Sequence, residues 1–142
     1  MAEATRTTGT VFNVGQLTFR SDVAALRAAA ALTTSYVASS HVDCRWTKTI
    51  CLLFTSIWAS ATSVEYYVEW SDDGTTWYRS LSASTSSGVV TMTENSATIA
   101  VSASLNFADA FPVQAQYMRV WAKRTGGASG DTLAIDVTLM TE

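Results

Sequence analysis

A short stretch with a period of two is the feature that most constrains the fold. Residues 64–70 alternate between apolar and more polar side chains, and alternation of this kind is typical of an antiparallel strand with one buried face. The inward set is Val64, Tyr66, Val68 and Trp70, and the outward set is Glu65, Tyr67 and Glu69. A helix would need a period of 3.6 residues, so this segment favours a β structure.

Residues 71–74 follow with a strong turn signal. Asp72 and Asp73 favour a turn because Asp side chains bond to nearby backbone, and Gly74 tolerates a positive φ angle. A return strand is expected in residues 75–78, which makes this segment a hairpin. Adjacent acids could also serve acid–base chemistry or calcium binding. Neighbouring turn residues point apart, however, so a structural role is expected for Asp72, Asp73 and Gly74.

Short β segments recur along the rest of the chain. Turn signals separate about seven or eight of them, and such a pattern predicts an all-β fold, namely a β-sandwich or jelly roll of antiparallel strands. Besides 64–70 and 75–78, the predicted strands are residues 10–20, 49–58, 89–93, 97–103, 116–123 and 131–139, and residues 32–37 are also β-like. The run 49–58 is apolar on both faces, so it is expected to be a central strand that is covered on both sides.

Local patterns predict the connections between these strands. Residues 80–88 are Ser-rich and are expected to form a loop, with 89–93 pairing with 97–103 after it. The segments 116–123 and 131–139 are expected to pair through the Gly-rich residues 126–130. One short helix is predicted near the N-terminus, because Ser21 and Asp22 form a cap signal before an Ala-rich run that ends at residue 30.

Size and composition indicate one domain over residues 10–142, preceded by a flexible arm over residues 1–9, which are polar and lack an apolar period. No secretory signal is visible, and the most apolar run, 50–61, is shorter than the roughly 20 residues that span a bilayer. With a net charge of −3 and scattered Lys and Arg, neither a membrane nor nucleic acid is an expected partner. Charged residues make up only 15%, which indicates that a partner covers some surface.

No residues with a catalytic or cofactor-binding pattern emerge, so the chain is not expected to be an enzyme. Nucleophilic catalysis by Ser or Cys generally needs a nearby base. His41 is the single histidine, and it is expected to be a solvated turn residue rather than such a base. Cys44 and Cys51 match no zinc motif. Both are expected to be reduced thiols in a cytosolic environment.

An aromatic and basic face is the candidate binding site. If Met118, Val120 and Ala122 point inward, the residues between and beside them point outward together. The candidate interface residues are Tyr117, Arg119, Trp121 and Lys123, with Tyr67 on the neighbouring strand. Tyr, Trp and Arg are over-represented at binding hot spots. The opposite assignment, in which this face is the buried one, stays open.

Two segments carry a local resemblance. SVEYYVEWSDDGTTWY and the later QYMRVWA resemble two strands of discoidin-like, galactose-binding β-sandwiches. This resemblance implies the fold. It also implies an alternative function as a carbohydrate-binding module, in which outward rings such as Tyr67 or Trp121 stack on sugars.

A wider resemblance covers residues 35–139. SSHVDCRWTKTICLLFTSIW, EWSDDGTTWY and the pair YMRVWAKR and DTLAIDVTLM look like the small accessory β-sandwich proteins of tailed bacteriophages. These include capsid decoration, or cement, proteins, which bind outside the assembled shell, commonly as trimers. The resemblance implies a homotrimer, the major capsid protein as partner, and a place on the virion exterior after synthesis in the host cytoplasm. A tail or neck component is a further alternative.

Overall fold

The protein is all-β. A computed structural model describes residues 3–14 and 17–141, with side chains for 3–9 and 21–141, and none of these residues is helical. Thirteen strands are present in the described residues, namely β1 (Thr7–Val14), β2 (Leu17–Ala31), β3 (Val37–Ala38), β4 (Val42–Asp43), β5 (Thr49–Ile57), β6 (Ser63–Ser71), β7 (Tyr78–Arg79), β8 (Leu81–Ser86), β9 (Val89–Glu94), β10 (Ala97–Ala100), β11 (Leu105–Pro112), β12 (Tyr117–Thr125) and β13 (Thr132–Met140).

Two antiparallel sheets pack face to face as a β-sandwich. The first has five strands in the order β1-β2-β13-β5-β11. The second has the order β10-β6-β12-β3, with β4 on β12 and β7 on β6. Side chains from both sheets form one buried cluster, so the sandwich expected from the alternating strands is confirmed.

Aromatic rings fill the middle of the core. Phe54 of β5 stacks on Phe107 of β11 at 4.5 Å between ring centroids, and Tyr66 of β6 lies 4.6 Å from Phe54. The Tyr66 hydroxyl donates a hydrogen bond to Asp109 at 2.7 Å. Phe54 therefore joins the two sheets at their centre.

The predicted N-terminal helix is wrong. Ser21, Asp22 and the Ala-rich run lie in β2, where residues 21–31 pair with β13. Asp22, Ala24 and Leu26 are buried while Val23 and Ala25 are exposed, a period of two that only a strand provides. Pairing with β13 thus overrides the helix propensity of Ala. The single strand predicted over 10–20 is also two strands, β1 and β2, whose connection lies outside the described residues.

The strand predicted at 49–58 is central but is covered on one face only. β5 pairs with both β13 and β11. Its side chains alternate, with Ile50, Leu52 and Phe54 buried while Leu53 is 45% exposed and Ile57 is 50% exposed. A continuous apolar run therefore reflects here an apolar outer surface and not a second covering layer.

Three predicted connections are also wrong. The Ser-rich segment 80–88 contains β8, which pairs with β9, so β9 does not pair with β10; β10 pairs with β6 instead. β12 and β13 lie in different sheets, so residues 126–130 carry the chain from one sheet to the other. Period-two patterns mark strands, but they do not identify the neighbour of each strand.

The hairpin after β6 is confirmed, with a short return strand. β7 pairs antiparallel with the end of β6, Trp70 facing Tyr78.

In the predicted arm, residues 1 and 2 lie outside the described residues, and Ala4 donates a backbone hydrogen bond to His41 at 2.6 Å. Flexibility of residues 1–9 in the free protein stays a prediction that amide exchange would test.

Candidate functional site: three exposed surfaces

The predicted interface residues lie together on the outer face of the six-stranded sheet. Along β12, Met118, Val120 and Ala122 are buried, so the residues that alternate with them face outward. These are Tyr117, Arg119, Trp121 and Lys123. On β6, Tyr67 lies opposite Trp121. Their shared orientation matches the expectation, and their role as an interface stays a prediction.

Cross-strand pairs order this face. Glu69 accepts a hydrogen bond from Arg119 at 3.0 Å, and Lys123 forms an ion pair with Glu65 at 3.0 Å. Hydrogen bonding to Lys123 lowers the pKa of the Glu65 carboxyl, and the same contact raises the pKa of Lys123. Each outward cation of β12 therefore has a carboxylate directly opposite it.

A layer of cations covers the aromatic rings. The guanidinium of Arg79 lies 3.6 Å from the ring centre of Tyr67, and that of Arg119 lies 4.2 Å from Trp77 and 5.0 Å from Trp121. We call this set the aromatic–arginine face; its members are Tyr36, Tyr67, Trp77, Arg79, Arg119 and Trp121. Such cation–π contacts fix the side chains before any partner arrives.

Half of this face was not predicted. Tyr36 comes from the connection before β3, Trp77 from the connection before β7, and Arg79 from β7. Tyr36 contacts Tyr67 edge to face at 4.8 Å. Two of these residues come from short connections and the third from a two-residue strand, so none of them is part of a regular period, and only the three-dimensional arrangement reveals them.

His41 was expected to be a solvated turn residue, but its side chain is largely buried. Its ring lies 5.7 Å from both Trp77 and Tyr117, and its Nε2 lies 3.7 Å from the Glu3 carboxylate. His41 thus packs beside the aromatic–arginine face. Its aromatic neighbours indicate a packing role.

At residues 71–74, Asp73 and Gly74 have the geometry of a turn, and the structural role expected for Asp72 stays a prediction. Asp73 Oδ1 accepts backbone hydrogen bonds from Thr75 and Thr76, both at 2.8 Å. These bonds lower the pKa of the Asp73 carboxyl well below its usual value. Gly74 has a φ angle of 75°. The Asp73 carboxylate therefore holds its own turn.

A second exposed surface is the hairpin of β8 and β9, residues 81–94, which we call the projecting hairpin. Every residue of both strands is exposed, and the two strands form a separate two-stranded sheet. At its base, Arg79 forms an ion pair with Glu94 at 2.7 Å. The rest of the hairpin extends away from the sandwich.

The two faces of the projecting hairpin differ in polarity. Register places Ala83 opposite Met92, and Thr85 opposite Val90. The face that contains these pairs also carries Leu81 and Glu94, and we call it the apolar hairpin face. The opposite face carries Ser82, Ser84, Ser86, Val89, Thr91 and Thr93. Val90 is 62% exposed and Met92 is 54% exposed, so the apolar face is uncovered.

The tip of the hairpin is a two-residue turn. Ser87 and Gly88 connect β8 to β9 with φ angles of 50° and 76°. Positive φ at both central positions defines a type I′ turn, whose twist matches that of the paired strands. The turn therefore sets the register that separates the two faces.

The third surface is the outward side of the five-stranded sheet, which we call the outer sheet face. Two rows of side chains cross β2, β13, β5 and β11 here, namely Val23, Thr138, Cys51 and Ala110, and Ala25, Asp136, Leu53 and Ala108. A groove of about 520 Å³ lies over β2, β13 and β5, and Thr5 and Thr7 of the N-terminal segment also line it. Asp136 is the one ionisable side chain among the described residues that line it.

Both cysteines are free thiols, as expected. Burial raises the pKa of Cys44 to about 12, which makes it a poor nucleophile. Cys51, in contrast, lies on the outer sheet face. Among the described residues, no group of His, Cys, Asp and Glu has the arrangement of a metal site.

A further groove, of about 310 Å³, lies at the edge of the six-stranded sheet where β6 is flanked by β7 and β10. Tyr66, Trp70 and Asp109 contribute to its lining. Tyr66 and Trp70 are each only 6% exposed. Their rings therefore belong to the core and have little surface left for a ligand.

Fold and surfaces together define a β-sandwich protein with a buried aromatic core, an ordered aromatic–arginine face and two uncovered apolar surfaces. None of the described residues forms a helix that could cross a membrane. No protein-family model matches the chain, and no curated protein matches it.

Proposed function

We propose that this chain is a non-enzymatic structural protein of a bacteriophage particle, a capsid decoration protein that self-associates and binds the outer surface of the shell. One observation carries the assembly role, namely that the fold leaves the projecting hairpin exposed on both faces with Val90 and Met92 uncovered. Exposed apolar patches of this kind mark protein contacts. The choice of particle is supported by the resemblance over residues 35–139.

A second anchor for a partner is the tryptophan beside β4. Trp46 is 85% exposed and has a φ angle of 64°. A bulky residue in the left-handed region is strained, and strain of this kind is concentrated at functional positions. Trp is also the residue type most enriched at hot spots. Trp46 is therefore a candidate contact with the shell, in addition to the residues of the aromatic–arginine face.

The direct test is addition of the purified protein to capsids that lack it. Saturable binding, with a fixed number of copies per shell and a higher temperature of capsid rupture, is the expected result. Position of the coding gene beside a major capsid gene would agree with this. A protein that binds no capsid, whatever its oligomeric state, would overturn the proposal.

Replacing Trp121 by Ala should weaken capsid attachment or self-association while the fold is kept. Loss of an aromatic anchor commonly costs about 2 kcal/mol, which is roughly 30-fold in affinity. Trp121→Phe keeps a ring against Tyr67 and is expected to lose less. Capsid co-purification and sedimentation measure the two effects, and unchanged occupancy together with unchanged mass would remove Trp121 from the interface.

Carbohydrate binding, the alternative function, would require that the same aromatic rings be accessible to a sugar. Sugar stacking needs an open aromatic face, but Arg79 lies over Tyr67 and Arg119 lies near Trp121. A ligand would have to displace these guanidinium groups or use the opposite ring faces. Specific binding on a glycan array by the isolated monomer would favour this alternative over the capsid.

A further inference from the structure

We propose that the projecting hairpin of one copy packs its apolar face onto the outer sheet face of a second copy, so that copies join head to tail into a closed ring. This inference builds on the self-association proposed above. It does not depend on which particle the protein binds. Three copies are expected, in line with the homotrimer that the resemblance over residues 35–139 implies.

The hairpin needs a covering layer. An isolated two-stranded hairpin is marginally stable in water and gains stability when its apolar face packs on another element. Here the apolar face alternates with a Ser- and Thr-rich face in strict register, yet both faces are exposed in the single chain. A period-two pattern of this kind indicates a contact on one side only, and no element of the described chain makes it.

The outer sheet face has matching dimensions. A six-residue strand is about 20 Å long, and four strands spaced about 4.8 Å apart span roughly 14 Å between their outer axes. The hairpin can therefore lie across both rows of the outer sheet face. The groove of about 520 Å³ beside Val23 and Leu53 gives room for a side chain such as Met92.

Charge favours a second copy over a different class of partner. Within residues 81–94 the one ionisable side chain is Glu94 at the base of the hairpin, where it pairs with Arg79, and the described lining of the groove contains one ionisable side chain, Asp136. Nucleic acid and anionic lipid would require basic residues on one of these surfaces. Two nearly uncharged apolar surfaces instead complement each other, and every copy supplies one of each.

Area favours a ring over a dimer joined by one hairpin. A two-stranded face about 20 Å long and about 10 Å wide is small beside the roughly 800 Å² per partner of a standard interface. In a closed ring each copy donates one hairpin and receives another, so each copy makes two contacts. Ring closure also makes the last contact intramolecular, and the resulting high effective concentration strengthens the assembly.

Matched substitutions test the two surfaces. Met92→Asp puts a charge on the apolar hairpin face, and Leu53→Asp puts one on the outer sheet face. Each is expected to weaken association at least about tenfold, because a charge would be buried in an apolar contact. Thr91→Asp changes the neighbouring residue on the polar face and should leave the mass in sedimentation equilibrium unchanged. Equal effects of Thr91→Asp and Met92→Asp would overturn the proposal.

Mixing the two defective variants tests the head-to-tail arrangement. Met92→Asp retains an intact outer sheet face and Leu53→Asp retains an intact hairpin, so a mixture can form one wild-type contact. An equimolar mixture should therefore form a heterodimer that neither variant forms alone; because one hairpin contact joins it, this heterodimer is expected to be weaker than the ring and to be visible in sedimentation at high protein concentration. If hairpins instead paired with hairpins, mixing would restore nothing, and that result would contradict the proposal.

Cysteine chemistry gives an independent test with a native thiol. Ala83 lies on the apolar hairpin face, and Cys51 lies on the outer sheet face. Ala83→Cys, oxidised with glutathione disulfide, is expected to form disulfide-linked oligomers that disappear when Cys51→Ser is added. Linked species that persist without Cys51 would show that the hairpins meet each other instead.

Outcomes separate this inference from the proposed function. A monomeric wild-type protein that still binds capsids would overturn the ring and leave the decoration role standing. A ring that passes all three tests but binds no capsid would overturn the decoration role alone. A monomer that binds no capsid would remove both.

Discussion

Replacing Phe54 by Ala is expected to lower the free energy of unfolding by about 3–5 kcal/mol, the usual range for a buried Phe. Phe54 is 1% exposed and contacts both Phe107 and Tyr66. Truncation would therefore open a cavity at the point where the two sheets meet. Equilibrium unfolding in urea, with the midpoint and slope both fitted, measures the loss.

Leu53→Ala is the matched control for Phe54→Ala. Leu53 is the preceding residue of β5 but points to the outer sheet face and is 45% exposed. Its truncation in a monomeric background should cost roughly 1 kcal/mol or less, since nearly half of its surface already contacts water. Equal losses for the two variants would mean that the two faces of β5 have been assigned wrongly.

Asp131→Ala is expected to cost about 2–4 kcal/mol, because its removal leaves three backbone N–H groups without their acceptor, one of them buried and two partly buried. Asp131 is 2% exposed, and its Oδ1 accepts hydrogen bonds from Ala59, Ser60 and Ala61 at 2.8, 3.1 and 3.1 Å. These bonds attach the connection between β5 and β6 to the start of β13. Thermal unfolding of the variant measures the loss.

Asp131→Asn keeps an oxygen acceptor but removes the charge, so it should be less destabilising than Asp131→Ala. Hydrogen–deuterium exchange adds a local readout, since the amides of residues 59–61 should exchange faster in the Ala variant. If the free energy of unfolding of Asp131→Ala were within about 0.5 kcal/mol of the wild-type value, as for an ordinary surface substitution, this carboxylate would not organise the connection.

Acid should reduce the difference between wild type and Asp131→Asn. Burial alone would raise the pKa of Asp131, but the three backbone hydrogen bonds and the charge of Arg124 outweigh burial and lower it below its usual value of 3.8. A lowered pKa in the folded state means that the ionised group stabilises the fold above the unfolded pKa, and that this stability is lost as pH falls through the folded pKa. Urea unfolding at neutral pH and at successively lower pH should show the difference shrinking. A constant difference would contradict the assignment.

Strand content could be predicted from the sequence because alternation reports burial directly. Residues 64–70 and 116–123 became strands whose inward and outward sets match the expected ones closely, since each strand covers the core with one face. The turn with Asp73 and Gly74 was also predictable, because its hydrogen bonds are local. The all-β sandwich class followed from these patterns.

The sequence predicted neither which strands pair nor where long-range packing overrides the local helix propensity. The Ala-rich part of β2 has a local preference for helix, and only its position beside β13 decides otherwise. β12 and β13 are adjacent in sequence and separated by glycines, which also describes a hairpin, yet the chain crosses between sheets there. Long-range packing determines both outcomes, and one sequence does not contain that information in a local pattern.

The candidate surfaces were predictable to different degrees. The outward residues of β12 followed from alternation, whereas Arg79 and Trp77 join them only through the folded arrangement of β7. The projecting hairpin was missed because Ser is common in loops, and its six-residue pairing is visible only in the register. Ser87 and Gly88 at the tip were the sole local signal for it.

The position of β13 has a consequence for biosynthesis. β13 lies between β2 and β5 in the five-stranded sheet, and it is the last of the thirteen described strands to leave the ribosome. Until then one edge of β2 and one edge of β5 have no partner, so the nascent chain holds open strand edges that could pair with other chains. Productive folding is therefore expected to wait until β13 has emerged, and its rate is expected to be limited by long-range pairing.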